Sequence, residues 1–394
     1  MGTPTLDDLL AAGVRGERVF VRADLNVPLV DGQVGDDTRI RAALGTLRRL
    51  LSAGARVVLA SHLGRPKGER KAELSLRPVA DRLGALLERE TRFCDEVVGP
   101  KAESAAAELR DGELLVLENV RFEPGETKND EALARGFAAL ADAYVNDAFG
   151  TAHRAHASTA GIARFVPRRA AGDLLRAELE QLGVVRDPER PLLCVLGGAK
   201  VSDKLAVLEA LAPHADSLVI GGAMAYTFLA ARGDAVGRSL VEPDRFEDAR
   251  RVEAAARDGG CRLLLPTDHV VVHELAPNAT SQVVARVPED QMGVDIGPAT
   301  ARAYAAEVET ARTIFWNGPM GVFEMDAFAQ GTEAVARAVA DSEGRSVVGG
   351  GDSVAAINKL GLGDRIGHLS TGGGASLEFV QGLELPGVAA LEEA

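Results

Sequence analysis

Short apolar runs alternate along the chain with longer segments whose apolar residues recur every three or four positions. The runs end in glycine or polar residues, as buried strands do, whereas the longer segments have the spacing of amphipathic helices. We predict strands within residues 18–26, 55–65, 113–122, 143–150, 191–198, 217–225, 262–272, 313–321, 345–351 and 368–374. We predict helices over residues 39–53, 75–90, 129–141, 244–258, 298–311 and 328–341. This alternation favours an α/β fold in which helices cover parallel sheets.

The stretch 191–211 combines a strand, a glycine pair and a helical pattern. An apolar run breaks at Gly197-Gly198, and the residues that follow have helical spacing, with Lys200 and Lys204 near the predicted helix start. A helix N-terminus offers free backbone N–H groups and the positive end of a dipole, and glycines allow a ligand to approach the backbone closely. We therefore predict a phosphate site with two lysines at the end of this strand.

The predicted strand ends differ between the two halves of the chain. The first half has charged and polar residues there, namely Arg22, Asp24, Asn26, His62, Arg65, Asn119, Arg121, Asn146 and Asp147, with Arg39, His153, Arg154 and His156 nearby. The second half has glycines, namely Gly197-Gly198, Gly221-Gly222, Gly318, Gly349 to Gly351 and Gly372 to Gly374. Arginine forks suit a small molecule with phosphate and carboxylate groups, whereas bare backbone at helix starts suits a nucleotide polyphosphate. We predict two domains that bind different anionic ligands at the carboxyl ends of their strands.

The length of 394 residues also favours two domains. The segment 170–191 is helical in pattern and no low-complexity linker precedes or follows it, which indicates a helical hinge. We place an N-terminal lobe at residues 1–172, a C-terminal lobe at 173–378 and a C-terminal tail at 379–394.

Charge and cysteine content exclude several classes of protein. The net charge of −14 argues against a general nucleic-acid or anionic-membrane surface, so any anionic ligand requires a local basic cluster. Cys94, Cys194 and Cys261 are far apart and fit neither a disulfide framework nor a zinc motif. The first residues lack the basic region of a signal peptide, and no apolar run is long enough to span a membrane. We expect a cytoplasmic protein.

Common nucleotide and metal motifs are missing. The dipeptide Gly-Lys does not occur, which excludes a Walker A loop, and G-x-G-x-x-G does not occur either. His153 and His156 lie beside Arg154, so we interpret them as anion contacts rather than metal ligands. In a strand, His269 and His273 would lie roughly 13 Å apart and could not share a metal.

Eight segments point to one known family. They are VRADLNVP (21–28), SHLGRP (61–66), LLVLENVRF (114–122), NDAFGTAHRAHAST (146–159), GGAKVSDK (197–204), WNGPMGVFE (316–324), GGGDSVAA (349–356) and STGGGASLE (370–378). Together and in this order, they resemble the phosphoglycerate kinase family over residues 18 to 378.

The resemblance implies two Rossmann-like three-layer α/β/α lobes, with 3-phosphoglycerate on the N-terminal lobe and Mg²⁺-nucleotide on the C-terminal lobe. It implies reversible transfer of the acyl phosphate of 1,3-bisphosphoglycerate to ADP, which gives 3-phosphoglycerate and ATP in glycolysis. The implied substrate residues are Arg22, Asp24, Leu25, Asn26, Arg39, His62, Leu63, Gly64, Arg65, Arg121, His153, Arg154 and His156. The implied nucleotide residues are Gly198, Lys200, Lys204, Gly222, Gly293, Glu324, Gly350, Gly351, Asp352 and Ser353.

The resemblance also assigns roles within these sets. Asp24 and Asn26 would hold the carboxylate-hydroxyl end of the substrate, and the arginines and histidines would form a basic patch. Asp352 would hold the Mg²⁺ of ATP or ADP, and Glu324 would bond the ribose. The catalytic groups would be Arg39, Lys200 and Gly373, the last of these at a helix N-terminus.

A phosphoglycerate kinase needs no general base, because the accepting carboxylate is already ionised at neutral pH. The protein must align donor and acceptor oxygens and stabilise the charge of the moving group. The resemblance further implies hinge closure, a monomer, no nucleic-acid or membrane partner, and a C-terminal tail that returns to the N-terminal lobe.

Two other functions remain as alternatives. An NAD-dependent dehydrogenase would share the α/β layout but lacks its fingerprint here, and a non-catalytic nucleotide-binding scaffold would be expected to have lost Arg39, Lys200 or Asp352. Two residues depart from the family pattern, Ala223 where a third glycine is expected and Ala299 where many relatives have lysine. Ala223 would narrow the nucleoside pocket without strain if its φ is negative.

Overall fold

The apolar runs form strands in the computed structural model, which describes residues 2–392. Met1 of the predicted N-terminal lobe and residues 393 and 394 of the predicted tail lie outside the described residues. The strands are β1 (Arg18–Ala23), β2 (Leu29–Val30), β3 (Gln33–Val34), β4 (Arg56–Ala60), β5 (Thr91–Cys94), β6 (Leu114–Leu117), β7 (Ala143–Asp147), β8 (Arg169–Ala171), β9 (Leu192–Leu196), β10 (Ser217–Ile220), β11 (Arg262–Leu264), β12 (His269–Val272), β13 (Gln282–Val284), β14 (Met292–Ile296), β15 (Thr313–Asn317), β16 (Arg345–Gly349) and β17 (His368–Leu369).

Helices occupy the segments with three-to-four-residue periodicity, and several shorter helices lie between them. They are α1 (Leu6–Ala11), α2 (Thr38–Ser52), α3 (Arg77–Leu87), α4 (Pro100–Ala107), α5 (Glu131–Ala138), α6 (Asp173–Arg186), α7 (Leu205–Leu211), α8 (Met224–Arg232), α9 (Phe246–Asp258), α10 (Pro298–Thr310), α11 (Gln330–Asp341), α12 (Gly351–Lys359), α13 (Gly374–Val380) and α14 (Pro386–Glu392). No helix within residues 2–392 combines the length and apolar composition needed to cross a bilayer.

The first sheet has the strand order β5-β6-β4-β1-β7-β8, and all its neighbouring strands are parallel. In the middle of the sheet, Val21 of β1 pairs with Leu59 of β4 and Val145 of β7. These three side chains are fully buried, as expected where helices cover both faces of a parallel sheet. The carboxyl ends of four neighbouring strands, β6, β4, β1 and β7, therefore lie side by side.

The second sheet has the order β11-β10-β9-β15-β16-β17 and is also entirely parallel. Numbered within this sheet, the order is 3-2-1-4-5-6, that of a Rossmann fold. The order reverses between β9 and β15, where open α/β sheets bind their ligands. The predicted fold class, two α/β lobes with parallel sheets, is confirmed.

One predicted strand run is wrong in detail. Residues 262–272 form not one strand but two, β11 in the large sheet and β12 in a small antiparallel sheet with the order β13-β12-β14. Pro266 lies in the break between them. Proline has no N–H for a ladder and is rarely found inside a central strand, so the chain leaves the large sheet here.

The predicted helix start at the two lysines is also wrong. Residues 201–204 form a turn, and α7 begins only at Leu205, with Lys204 as its N-cap residue. The carboxylate of Glu242 accepts hydrogen bonds from the Ser202 backbone N–H (3.0 Å) and the Ser202 hydroxyl (2.6 Å). These bonds hold the turn outside the helix, so Lys200 and Lys204 do not project from one helix face.

The chain folds into two compact units. The first contains residues up to 180 together with the segment from 384, and the second contains Gln181–Leu383. The division falls inside α6, within the segment predicted to be a helical hinge. Helix α14 belongs to the first unit, where the Gly387 carbonyl accepts a hydrogen bond from Asn146 (3.0 Å) and its N–H donates to the Ala152 carbonyl (2.8 Å).

Candidate functional site

The polar residues predicted at the strand ends of the first unit lie in the last positions of β1 and β7 or in the loops after β1, β4, β6 and β7, which are adjacent in the sheet. Asp24 and Arg39 form an ion pair there, with 2.9 Å between Oδ2 and Nη1. The Asn26 side-chain oxygen accepts a hydrogen bond from the Gly64 backbone N–H at 2.8 Å. These contacts join the loop after β1 to the start of α2 and to the loop after β4.

A cavity of about 460 Å³ opens beside these loops. Its lining residues are Arg65, Lys67, Gly68, Arg121, Glu123, Pro124, Thr127, Lys128 and Arg154. Desolvation, together with the nearby charges of Arg22 and Arg154, lowers the pKa of Arg121 to about 10. The Arg121 guanidinium donates to the Gly64 carbonyl at 2.8 Å, while its buried Nε has no hydrogen-bond partner within residues 2–392. An anion in this cavity would relieve the repulsion between these cations.

Arg22 and His62 are buried, whereas the side chains of an open basic patch would be exposed. Arg22 is completely buried, and its Nε donates to the Ser158 hydroxyl at 2.8 Å. His62 is also buried, with Nδ1 3.3 Å from Arg22 Nη2. Burial and then the neighbouring arginines lower the pKa of His62 well below its ordinary value. His62 is therefore neutral at neutral pH, which corrects the expectation that it adds charge to the basic patch.

The other two predicted histidines differ in exposure. Burial, Arg22 and Arg121 lower the pKa of His156 to about 4, so this side chain is neutral too. His153 is half-buried, and its Nε2 accepts a hydrogen bond from the Nε of the exposed Arg154 at 2.9 Å. The positive charge at this end of the sheet thus comes from arginines and lysines rather than from His62 or His156.

The side chains of Leu25 and Leu63 are buried, so these two residues contribute to the predicted substrate site only through their backbones. The Leu25 N–H donates to the Ser61 hydroxyl at 2.8 Å, and the Leu63 N–H donates to the Asn119 side chain at 3.2 Å. Asn119 also donates to the Leu63 carbonyl at 2.7 Å. Ser61 and Asn119 therefore shape the two loops that carry predicted substrate residues. Ser61 and Asn119 follow the ends of β4 and β6, the kind of position at which the sequence predicts site residues.

A second cavity, of about 210 Å³, lies at the carboxyl ends of strands in the second unit. Five predicted nucleotide residues line it, namely Gly198, Gly222, Gly293, Glu324 and Asp352. Lys200, Lys204, Gly350, Gly351 and Ser353 do not line it. Ser353 is completely buried, and its hydroxyl accepts a hydrogen bond from the Gly318 N–H at 2.6 Å. Its side chain thus serves the loop after β15 rather than the cavity.

The glycines of this unit have two different uses. A Cβ added to Gly197 would lie 2.1 Å from the Pro319 carbonyl oxygen, so this glycine allows two backbones to pack together. Gly198 has a φ of +130° and no atom within 4 Å of such a Cβ. Of the pair, Gly198 is the one whose backbone a ligand can approach.

Ala223, Tyr226 and Gly293 also line the cavity. Ala223 has a φ of −64°, so its methyl group is accommodated without strain, as expected. A Cβ on Gly293 would lie 1.8 Å from the Tyr226 hydroxyl, so that position admits no side chain. A buried carboxylate that we did not predict, Asp295, also lines the cavity.

The two lysines follow β9, whereas Gly350 follows β16 and Gly373 follows β17. Lys204 is half-buried and bonds the Asn317 side-chain oxygen, and desolvation lowers its pKa. Lys200 is exposed. Gly350 caps α12 with a φ of +88°, and Gly373 caps α13 with a φ of +54°.

Comparison with known proteins decides the family. A family model described as phosphoglycerate kinase matches residues 6–383. The chain belongs to the phosphoglycerate kinase family. The phosphoglycerate kinase of Moorella thermoacetica is 57% identical over 100% of both chains. That of Rubrobacter xylanophilus is 58% identical over 96% of both chains.

Solved structures agree with this assignment. Phosphoglycerate kinase from Coxiella burnetii has a TM-score of 0.89 and 41% identity, covering 96% of this chain and 97% of that chain. The enzyme from Pyrococcus horikoshii has a TM-score of 0.83 and 35% identity, covering 100% and 98%. The chain is a phosphoglycerate kinase in activity as well as in fold, a phosphotransferase that moves a phosphoryl group between a carboxylate of 3-phosphoglycerate and a nucleotide. The scaffold alternative is not favoured.

The residues of this phosphoglycerate kinase fit a metal ion that arrives with its nucleotide. Within residues 2–392, no group of three or more histidine, cysteine or acidic side chains forms a metal cage. Asp352 is a single exposed carboxylate in the first turn of α12, facing the cavity. One carboxylate together with nucleotide phosphates is a common Mg²⁺ environment.

Proposed function

We propose that the cavity of the first unit binds the phosphate of 3-phosphoglycerate through Arg65, Arg121 and Arg154. The observation that supports this most strongly is the set of cations around one cavity. Among the described residues, neither these three arginines nor Lys67 and Lys128 have a carboxylate within 4.0 Å. Five cations against one acidic lining residue, Glu123, leave an excess of positive charge that favours the binding of an anion.

In this proposal, the carboxylate and hydroxyl end of the substrate binds to Asp24, Asn26 and Arg39. The Asp24 carboxylate suits the substrate hydroxyl, and Arg39 suits its carboxylate. The ion pair between Asp24 and Arg39 holds the arginine close to this end of the molecule. The neutral His62 and His156, together with His153, complete the site as hydrogen-bonding groups. The buried Arg22 contacts His62 from the interior side of the site.

The nucleotide occupies the cavity of the second unit, with its base toward Ala223 and Gly293 and its ribose near Glu324. Its phosphates extend toward Gly198, Lys204 and the N-terminus of α12, where backbone N–H groups and the helix dipole favour negative charge. Asp352 would bind the Mg²⁺ that accompanies the phosphates. The metal supplies charge neutralisation of the nucleotide, and the protein supplies the position of Asp352.

Transfer of the phosphoryl group requires positioning and charge stabilisation more than proton transfer. We assign the charge stabilisation to Arg39, Lys200 and the backbone at Gly373. Lys200 is exposed and, among the described residues, has no ion-pair partner within 4.0 Å, which leaves it available to a mobile anionic group. We further propose that the enzyme acts as a cytoplasmic monomer on these small molecules, without nucleic acid or membrane.

The first experiment is a coupled assay of ATP formation from ADP, Mg²⁺ and 1,3-bisphosphoglycerate with the wild type and Lys200→Ala. Loss of a preorganised charge contact lowers kcat about 10²- to 10³-fold, whereas KM for ADP should change much less. Lys359→Ala is the matched control, because Lys359 pairs with Asp326 at 2.6 Å on the surface of the same unit. Near-normal turnover of Lys200→Ala would remove Lys200 from the mechanism.

A further inference from the structure

Glu126 is a buried carboxylate that has no role in the chemistry described above. It begins a short 3-10 helix, Glu126–Lys128, and is completely closed to solvent. Oε2 accepts a hydrogen bond from the Ser158 backbone N–H at 3.0 Å, and Oε1 accepts one from the Ser158 hydroxyl at 2.5 Å. Burying a carboxyl group is costly unless its oxygens are hydrogen-bonded, and here one residue, Ser158, supplies two such bonds.

Ser158 connects this carboxylate to a buried cation. Its hydroxyl donates to Glu126 and accepts from Arg22 Nε at 2.8 Å, so it bridges two buried side chains of opposite charge. The other end of the Arg22 guanidinium lies 3.3 Å from His62 Nδ1. The chain of contacts therefore runs from Glu126 through Ser158 and Arg22 to a residue of the proposed substrate site.

The same carboxylate anchors two backbone segments beside the cationic cavity. Thr127 and Lys128, the next residues along the chain, line that cavity. Ser158 lies in a π-helix, Ala157–Gly161, which immediately follows the segment carrying Arg154 and His156. Glu126 Oε1 is 3.8 Å from His156 Nδ1, a buried atom that has no hydrogen-bond partner in the described part of the chain. π-helical turns are energetically unfavoured and often occur at functional sites, which agrees with a segment held in place for binding.

We propose that Glu126 is a positioning residue for the substrate phosphate: through Ser158 it fixes Arg22 and the two backbone segments that carry Lys128 and Arg154. This inference rests on the proposed substrate site. The surrounding charges agree with it, because the Arg22 and Arg121 guanidinium groups oppose the rise in the pKa of Glu126 that burial causes. Ser158 thus holds Arg22 in its buried position through the hydrogen bond from Arg22 Nε at 2.8 Å.

The test compares Glu126→Gln, Glu126→Asp and Ser158→Ala with the wild type. Calorimetry with 3-phosphoglycerate alone measures its Kd, and steady-state assays give kcat and KM for both substrates. Glu126→Gln and Ser158→Ala should each raise the Kd for 3-phosphoglycerate about tenfold or more, because each removes a bond of the buried bridge. KM for ATP should stay within about twofold, since the nucleotide site lies in the other unit. Glu126→Asp keeps a carboxyl group and should recover part of the affinity.

Asp142→Asn serves as the control for a purely structural change. Asp142 pairs with Arg18 at 2.6 Å at the amino end of β1, the strand that carries Arg22 near its other end. This variant should lose stability but retain wild-type affinity for 3-phosphoglycerate. If Glu126→Gln does not fold, Ser158→Ala and Glu126→Asp still decide, because both keep the carboxylate.

Arg121→Gln separates this inference from the proposed site itself. If Arg121→Gln weakens 3-phosphoglycerate binding while the Glu126 and Ser158 variants bind normally, Glu126 is structural only and the inference is wrong. If Arg121→Gln also binds normally, the proposed phosphate site is wrong, and the role of Glu126 fails with it.

Discussion

The carboxylate of Asp295 should make the second unit less stable as the pH rises toward neutrality. Asp295 lies in β14 beside the nucleotide cavity and is only 3% exposed. Its oxygens accept hydrogen bonds from the Ile296 N–H (2.9 Å) and the Gly331 N–H (2.7 Å), and within residues 2–392 it has no cationic partner within 4.0 Å. Burial outweighs these bonds and raises the pKa of Asp295 from 3.8 to about 7.

The sign of the effect follows from proton linkage. Between pH 4 and pH 7 the folded state keeps the Asp295 proton while the unfolded chain loses it, so the folded state binds more protons. The free energy of unfolding therefore falls as the pH rises through this window and levels off above it. Raising a carboxyl pKa from 3.8 to about 7 corresponds to about 4 kcal/mol of lost stability across the window.

Asp295→Asn isolates this contribution because asparagine does not titrate. The variant loses one acceptor for a backbone N–H, a cost of about 1–3 kcal/mol that does not depend on pH. The difference in unfolding free energy, variant minus wild type, should thus increase by about 4 kcal/mol between pH 4 and pH 8. Asp147, whose pKa burial raises to about 6, is present in both proteins and cancels in this difference.

Urea titrations followed by tryptophan emission provide the measurement. Trp316 is the only tryptophan of the chain and is completely buried in β15, so it reports on the unit that contains Asp295. Titrations of both proteins at half-unit steps of pH give the difference directly. A difference that is constant from pH 4 to pH 8 would refute the reasoning, because Asp295 would then titrate alike in the folded and unfolded states.

Two further predictions concern the ligands. Gly293→Ala places a methyl group 1.8 Å from the Tyr226 hydroxyl and forces that ring to shift at the cavity wall. The variant should raise KM for ADP about tenfold and leave KM for the other substrate unchanged. Normal nucleotide affinity would show that the base does not bind there. Phosphoryl transfer requires donor and acceptor to meet away from water, so small-angle scattering should give a smaller radius of gyration with both ligands than with neither, and identical dimensions would exclude closure.

Sequence periodicity located the elements that are long or fully buried. The run Leu192–Leu196 forms β9 with all five residues buried, and the helical pattern over 39–53 forms α2 within one residue at either end. Elements of two or three residues, such as β2 and β3, have no measurable period. Their turn nevertheless consists of Asp31-Gly32, a dipeptide typical of hairpins, and both residues have the positive φ that such a turn requires.

The prediction that a helix carries Lys200 and Lys204 was wrong because a tertiary contact holds this segment in another conformation. The spacing of Val201 and Leu205 is helical, but the bonds from Ser202 to Glu242 join residues forty positions apart and hold a turn instead. No local pattern contains that information.

The candidate site was also predictable only in part from the sequence. Charged residues at strand ends, such as Arg65 and Arg121, could be recognised because the carboxyl edge of a parallel sheet is predictable from the strand pattern. Their charge states could not, because the neutrality of His62 depends on burial and on arginines from other elements. Glu126 and Ser158 escaped attention because their contact, 32 residues apart, gives no signal in the sequence.

The placement of α14 has a consequence for synthesis on the ribosome. The chain completes the whole of the second unit before it reaches Pro386–Glu392, the helix that packs within the first unit. Until then the nascent first unit lacks the contacts of Gly387 with Asn146 and Ala152, and Leu391, which ends buried, has not been made. The amino-terminal unit begins to fold first and is finished last, so a chain that is terminated before codon 386 has a complete second unit and an incomplete first unit.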